Sequence, residues 1–133
     1  MSRIYSVITG SGSYVPPKVI SNNDFISNEF YDTNGEKLTT PGAVIVNKFV
    51  EITTISERRY ADENQKTSDL ALIASQKAIK EAGIDKEELD YIIFAHNFGE
   101  TSHDNIKADI VPSLAARLKQ KLGIKNPATV AYD

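Results

Sequence analysis

The chain has 133 residues, 41% of them hydrophobic, a formal net charge of −3 and no cysteine. This balance suits one globular domain, or a large piece of one, and a chain of this size can bury roughly two-thirds of its unfolded surface. It argues against disorder, a basic nucleic-acid face and a bilayer span, because charges of both signs are interspersed and the apolar runs are a handful of residues against the ~20 a span needs. Without cysteine these residues hold no disulfide, thiolate metal site or cysteine nucleophile. No basic region followed by an apolar stretch opens the chain, so a cytoplasmic location is expected.

In chain order, residues 3–9 read as a strand: Ile4, Val7 and Ile8 supply β-branched mass, and Gly10 and Gly12 end it. Gly10-Ser11-Gly12 reads as a tight turn, since it lacks the third glycine and the following helix of a phosphate loop. A helix is predicted from Ser21, with Asp24 near its free N–H groups and Phe25, Ile26 and Phe30 as its apolar stripe. Residues 32–43 read as a turn-rich loop. Residues 44–53 are β-branched rich, yet Val46, Phe49, Val50 and Thr53 also fit a helical period, and helix is the reading taken.

The clearest helix runs from Thr67 to Ala82, buried through Leu70, Ala71, Ile73, Ala74, Ala78 and Ile79 and stopped by Gly83. Asp85 and Glu88 resemble a capping pair. Residues 91–95 form a continuous apolar run, as in a parallel-sheet strand covered on both faces. Val111, Leu114, Ala115, Leu118 and Leu122 follow a 3.6-residue period up to Gly123, and residues 128–132 read as a further buried strand. Ala82-Gly83-Ile84 and Leu122-Gly123-Ile124 echo each other, each a helix stop followed by a loop and a strand. Two such units imply an α/β layered fold with right-handed crossovers.

Several landmarks occur in a telling order. A strand runs into Gly10-Ser11-Gly12-Ser13-Tyr14-Val15-Pro16, then come Thr53-Thr54-Ile55-Ser56-Glu57-Arg58, a helix closing in Ala82-Gly83-Ile84, the run Tyr91-Ile92-Ile93-Phe94-Ala95, a helix opening with Pro112-Ser113, and Leu122-Gly123-Ile124-Lys125. In this order and spacing the chain resembles the β-ketoacyl-acyl-carrier-protein synthase III family, thiolase-fold condensing enzymes that start fatty-acid chains. The resemblance implies that residues 1–133 are the N-terminal part of a thiolase-like domain, a mostly parallel buried sheet covered by helices. It also implies that the strand at 128–132 leads within a few residues to the nucleophilic cysteine, so that no catalytic residue falls in this chain. The implied reaction condenses an acyl primer with malonyl-acyl carrier protein with loss of CO₂. Its substrates are acyl-CoA and the carrier protein, the enzyme is a homodimer, and no cofactor or metal is called for.

The departures bear on the substrate. Where the resemblance places a tryptophan and an arginine that clamp the adenine of coenzyme A, this chain has Lys48 and Ile52, which cannot reproduce stacking and cation–π contact. Thr54 stands where the family has glycine. Three residues are candidates for the substrate pocket. His96 and Asn97 follow the 91–95 strand, and ligand sites in α/β sheets lie beyond the carboxyl ends of strands; a histidine satisfied by backbone is the other reading. Val111 aligns with a bulky aromatic that reaches across the family's dimer into the partner's acyl pocket, or else it is a core residue at a helix start. His96, His103, Asp104 and Asp109 have no specific metal-site spacing. Lys107, Arg117, Lys119, Lys121 and Lys125 read as a solvated helix face more than as a carrier-protein dock. Two other functions stay open: a related ketosynthase of secondary metabolism making polyketide-type or alkyl-aryl products, and a non-catalytic thiolase-fold partner.

Overall fold

The computed structural model describes residues 4–102 and 105–133, with the backbone alone at 105 and 106. It falls into two compact units, Pro16–Tyr60 and the rest of the chain on either side of it.

In the Pro16–Tyr60 unit, strand β1 (Lys18–Ser21) pairs antiparallel with β2 (Glu57–Tyr60), setting Lys18 opposite Tyr60 and Ser21 opposite Glu57. Ser21 then caps a single 3₁₀ turn, Asn22–Phe25, in which the Asp24 carboxylate accepts the Ser21 N–H and Oγ–H, each at 2.7 Å. The helix expected from Ser21 is therefore one turn long. The loop at 32–43 forms around Asp32, whose Oδ1 accepts the N–H groups of Asn34 and Glu36 at 2.8 and 2.9 Å. It closes earlier than predicted, because helix α1 already starts at Gly42 and runs to Thr53 (Gly42–Thr53). The helical reading of residues 44–53 thus holds over the β-branched one. Val46 is the buried residue of α1, and Phe30 meets Phe49 edge to face at 5.8 Å. Asn22 joins the parts: its side-chain amide donates to Ile55 O at 2.7 Å, and its Oδ1 accepts from Arg58, whose guanidinium also lies over the Phe25 ring.

In the larger unit, helix α2 spans Thr67–Ala82 as predicted, with the Asp69 carboxylate accepting the Lys66 N–H at 2.9 Å. Gly83 ends α2 at φ +67°, and Gly123 ends helix α3 (Leu114–Leu122) at the same angle. Both need the left-handed region that glycine enters without a Cβ penalty, so the echo between the two stops is a real repeat of conformation. Asp85 caps the 3₁₀ turn Lys86–Glu88 with its side chain through the Glu87 N–H, and the Glu88 N–H donates to the Asp85 carbonyl at 3.0 Å. Strands β3 (Tyr91–Ile93) and β6 (Val130–Tyr132) pair in parallel, Tyr91 opposite Val130 and Ile93 opposite Tyr132. Between them lie β4 (Glu100–Ser102) and β5 (Asn105–Asp109), an antiparallel pair. The core of the unit is Ile92, Ala115, Leu118, Leu122 and Ile124, flanked by Ala71, Leu72 and Ile79 of α2.

Three expectations are corrected. Residues 4–9 form no strand, and Ile4 and Ile8 are almost fully exposed; β-branched content favours a strand only where a ladder partner lies alongside. Gly10-Ser11-Gly12 is not a tight turn but a close contact. Neither glycine has positive φ, and a Cβ on either would fall on α2 backbone, on Ala78 O and Ala82 N at Gly10 and on Ala74 O and Ala78 N at Gly12. The 91–95 and 128–132 runs are covered on one face only: Ile92 is buried, while Ile93 is 69% exposed.

Candidate functional site

Because β3 and β6 run parallel, their carboxyl ends lie together, and α3 begins beside them. Ladder bonding continues past β3, with the Phe94 N–H donating to Tyr132 O at 3.1 Å. His96 and Asp133 follow the two strands. His96 Nε2 is 3.1 Å from Asp133 Oδ2, and His96 Nδ1 accepts the Gly99 N–H at 2.8 Å. With Nδ1 as acceptor, the ring proton of neutral His96 sits on Nε2, facing the carboxylate. Asp133 also serves α3: its Oδ2 accepts the Leu114 N–H at 2.8 Å and its Oδ1 the Ala115 N–H at 2.7 Å. These are two of the orphan donors of a helix start, where the backbone dipole favours negative charge. Burial would raise the Asp133 pKa, but the Ala115 and Leu114 N–H groups and then His96 outweigh it and hold the carboxyl below the ordinary aspartate value.

Both ring nitrogens of His96 are thus occupied by structural partners, one of them backbone, and Phe94 meets the ring edge to face at 5.9 Å. Asn97 is exposed beside it. Val111 stands apart from this cluster. It precedes α3 instead of opening it, because Ser113 is the N-cap, accepting the Ala116 N–H at 3.2 Å. At 76% exposure Val111 is not a core residue. Its backbone is pinned: the Asp109 carboxylate accepts its N–H at 3.2 Å and Arg117 donates to its carbonyl at 2.9 Å.

The residues expected as a solvated basic face are largely engaged. Lys121 pairs with Asp69 at 2.6 Å, Lys119 donates to Thr129 O at 2.6 Å, and Arg117 binds Asp109. Lys48 and Ile52 lie exposed on α1, Ile52 at 78%. Thr54 caps that helix in the left-handed region (φ 56°, ψ 14°), the one non-glycine residue with positive φ among those described, so the glycine of the family motif has a conformational reason here.

Glu100 was not singled out from sequence. It is buried with Ser68, whose Oγ–H donates to Glu100 Oε1 at 3.1 Å, while Oε2 has no hydrogen-bond partner among the described residues. An acidic residue carries no sequence signal of burial. His103 and Asp104 lie outside the described residues, and among the described residues no three His, Cys, Asp or Glu side chains gather as a metal site would require.

No protein-family model matches the chain. Curated relatives do. The chain is 39% identical over 123 residues to the β-ketoacyl-[acyl-carrier-protein] synthase III of Staphylococcus haemolyticus, covering 92% of this chain and 33% of that protein. It is 37% identical over 133 residues to the synthase III 2 of Vibrio cholerae, covering all of this chain and 30% of that protein. The chain therefore spans about a third of the length of the relatives it matches. Among solved structures, the synthase III of Thermus thermophilus superposes with a TM-score of 0.63 at 29% identity, over 96% of this chain and 32% of that one. The priming β-ketosynthase of the R1128 polyketide pathway shares the fold, with a TM-score of 0.65 at 22% identity over 95% of this chain and 31% of that one. In sequence and in its thiolase-like α/β fold, this chain is similar to about one third of the length of the β-ketoacyl-[acyl-carrier-protein] synthases III.

Proposed function

We propose that this chain is the N-terminal part of an acyl-condensing enzyme. The full-length protein would join an acyl primer to malonyl-acyl carrier protein, releasing CO₂ and forming a carbon–carbon bond. The observation that carries this reading is the 37–39% identity to named synthases III over nearly the whole chain. In the proposed reaction a cysteine outside these residues takes the primer as a thioester. Decarboxylation of the malonyl group then supplies the carbanion, which attacks the thioester carbonyl; hydrogen-bond donors stabilise the developing oxyanion, and its collapse breaks the C–S bond and releases the cysteine thiolate. This chain, without cysteine, would contribute shape and support. His96 and Asn97 would stand at the strand ends near the pocket floor, and Val111 would project toward a partner subunit's acyl pocket in a homodimer. Acyl-CoA and acyl carrier protein are the proposed partners and the cytoplasm the proposed location. No helix among the described residues is long and apolar enough to cross a membrane.

Lys48 and Ile52 favour a second reading of the primer. Neither side chain stacks a purine, so a ketosynthase of secondary metabolism fed by another carrier fits that feature better than one tuned to acetyl-CoA. One assay series tests both. The full-length protein is incubated with malonyl-carrier protein and primers of increasing length, on coenzyme A and on carrier protein, and ketoacyl product and released CO₂ are quantified. Absence of product from a folded protein with every primer rejects condensing activity, and equal use of both primer forms rejects the second reading. The isolated 133-residue chain should retain no acyl label after denaturation.

A further inference from the structure

The geometry points to Arg117 as the positioning residue that sets acyl-chain length by fixing where Val111 projects; this rests on the proposal that Val111 lines the acyl pocket. Arg117 lies in the first turn of α3, and its side chain folds back over the helix start instead of outward. Its Nε donates to Pro112 O at 2.9 Å, and its Nη2 donates to Val111 O at 2.9 Å and to Asp109 Oδ2 at 2.7 Å. The other oxygen of the same carboxylate accepts the Val111 N–H. The Arg117–Asp109 pair thus holds both backbone polar groups of Val111, and the side chain is left as the free part of the residue.

This arrangement needs arginine. Three acceptors met by two guanidinium nitrogens match a rigid planar fork, whereas an ammonium is a point charge on a flexible stem. The Arg117 side chain is also the more sheltered partner, 20% exposed against 56% for Asp109, so the fork is held by its surroundings as well as by its bonds. A pocket wall discriminates by a methylene only if it stays put. If the backbone at Val111 can shift by an ångström, primers one unit longer fit and selectivity falls, while the chemistry of condensation is untouched.

The test is kcat/KM of the full-length protein across a primer series for the wild type, Arg117→Lys, Asp109→Asn and Val111→Phe, with melting temperatures. One methylene in an apolar pocket is worth about 10- to 200-fold. Arg117→Lys should therefore flatten the preference for the best primer over one two carbons longer by about tenfold, with kcat for the best primer unchanged. Asp109→Asn, a near-isosteric change at a half-exposed site, should flatten it in the same direction and carries the test if Arg117→Lys does not fold. Val111→Phe should move the optimum toward shorter primers. If Val111→Phe shifts the profile and the two clamp variants do not, the inference is overturned while the pocket reading stands. If Val111→Phe changes nothing, the pocket reading fails and takes the inference with it. A uniform fall in kcat/KM at every primer length would mark a merely structural clamp and would also overturn it.

Discussion

Asp133 stands 3.1 Å from His96 through the same carboxylate that accepts the first two N–H groups of α3. One side chain therefore joins the carboxyl ends of two parallel strands to a helix start. Replacing Asp133 by asparagine removes the charge from the helix terminus and leaves one N–H without its acceptor. A helix cap is worth about 0.5–2 kcal/mol, and charged hydrogen bonds lie at the upper end of such ranges, so a loss of about 1–2 kcal/mol is expected. The pH dependence follows from the lowered folded-state pKa. The contribution is fully present above the unfolded value of about 3.9. It is lost as pH falls from there through the lower folded value. Urea denaturation of both proteins at neutral pH and in steps below pH 5 measures this, and identical acid sensitivity in wild type and Asp133→Asn would refute it.

Thr54 sets a second expectation. A β-branched residue in the left-handed region costs about 1–2 kcal/mol, whereas glycine costs about 0.5–1 kcal/mol in unfolded-state entropy. The strain is the larger of the two, so Thr54→Gly should stabilise the Pro16–Tyr60 unit. Among the described residues the Thr54 hydroxyl donates to the neighbouring Thr53 carbonyl, on an exposed surface, so little is lost with it. A gain of about 0.5–1 kcal/mol in urea denaturation is expected. A loss of stability would mean that the hydroxyl or the threonine methyl matters more than the backbone angle.

Gly12 makes a sharper demand. A Cβ there would land on the backbone of α2 at Ala74 and Ala78, which cannot swing aside as a side chain can. Two contacts beside it hold the segment at present: the Ser11 N–H on the Glu81 carboxylate at 2.5 Å, and the Lys77 ammonium on Ser13 O at 2.9 Å. Gly12→Ala should therefore lift residues 4–15 off α2, costing about 1–3 kcal/mol by overpacking. Limited proteolysis should cut the variant before Pro16 much faster than wild type. Equal cleavage rates would show that the close approach is not needed.

Long periodic elements were the legible part of this chain. Helices α2 and α3 carry two or more turns of pattern and a glycine stop; α2 appears where expected, and α3 ends where expected but starts at Leu114 rather than at Val111. Strand β2, with the sequence Glu57-Arg58-Arg59-Tyr60, has neither apolar alternation nor length, and only its partner β1 makes it a strand. Residues 4–9 fail in the opposite way, with strand composition and no ladder. The site was half legible. His96 could be placed at a strand end, but its partner lies 37 positions away. The fold of Arg117 back over its own helix start leaves no trace in the spacing of residues. Val111 fell on the helical period by coincidence, since the true start signal is Ser113.

The open face of the β3–β6 pair leads to the last expectation. Tyr91, Ile93, Val130 and Tyr132 share that face, between 45% and 69% exposed, and the two tyrosine rings meet edge to face at 6.3 Å. Ile92, on the opposite face, is buried in the core, so this is not a loosely packed sheet but one with a single finished side. Residues 4–8 add further exposed apolar surface in Ile4, Tyr5, Val7 and Ile8. Contiguous apolar patches of this kind drive association, and unpaired strand edges provide a template for it. The 133-residue chain should therefore show a mass that rises with concentration in light scattering at high micromolar protein. Ile93→Lys places a charge in the middle of the open face without touching the core, so it should shift the mass toward monomer and leave urea stability within about 0.5 kcal/mol of wild type, as expected for a surface change. A strict monomer in the wild type would show that the face is not adhesive. Association unchanged by Ile93→Lys would place the contact elsewhere, with the exposed residues 4–8 as the next surface to alter.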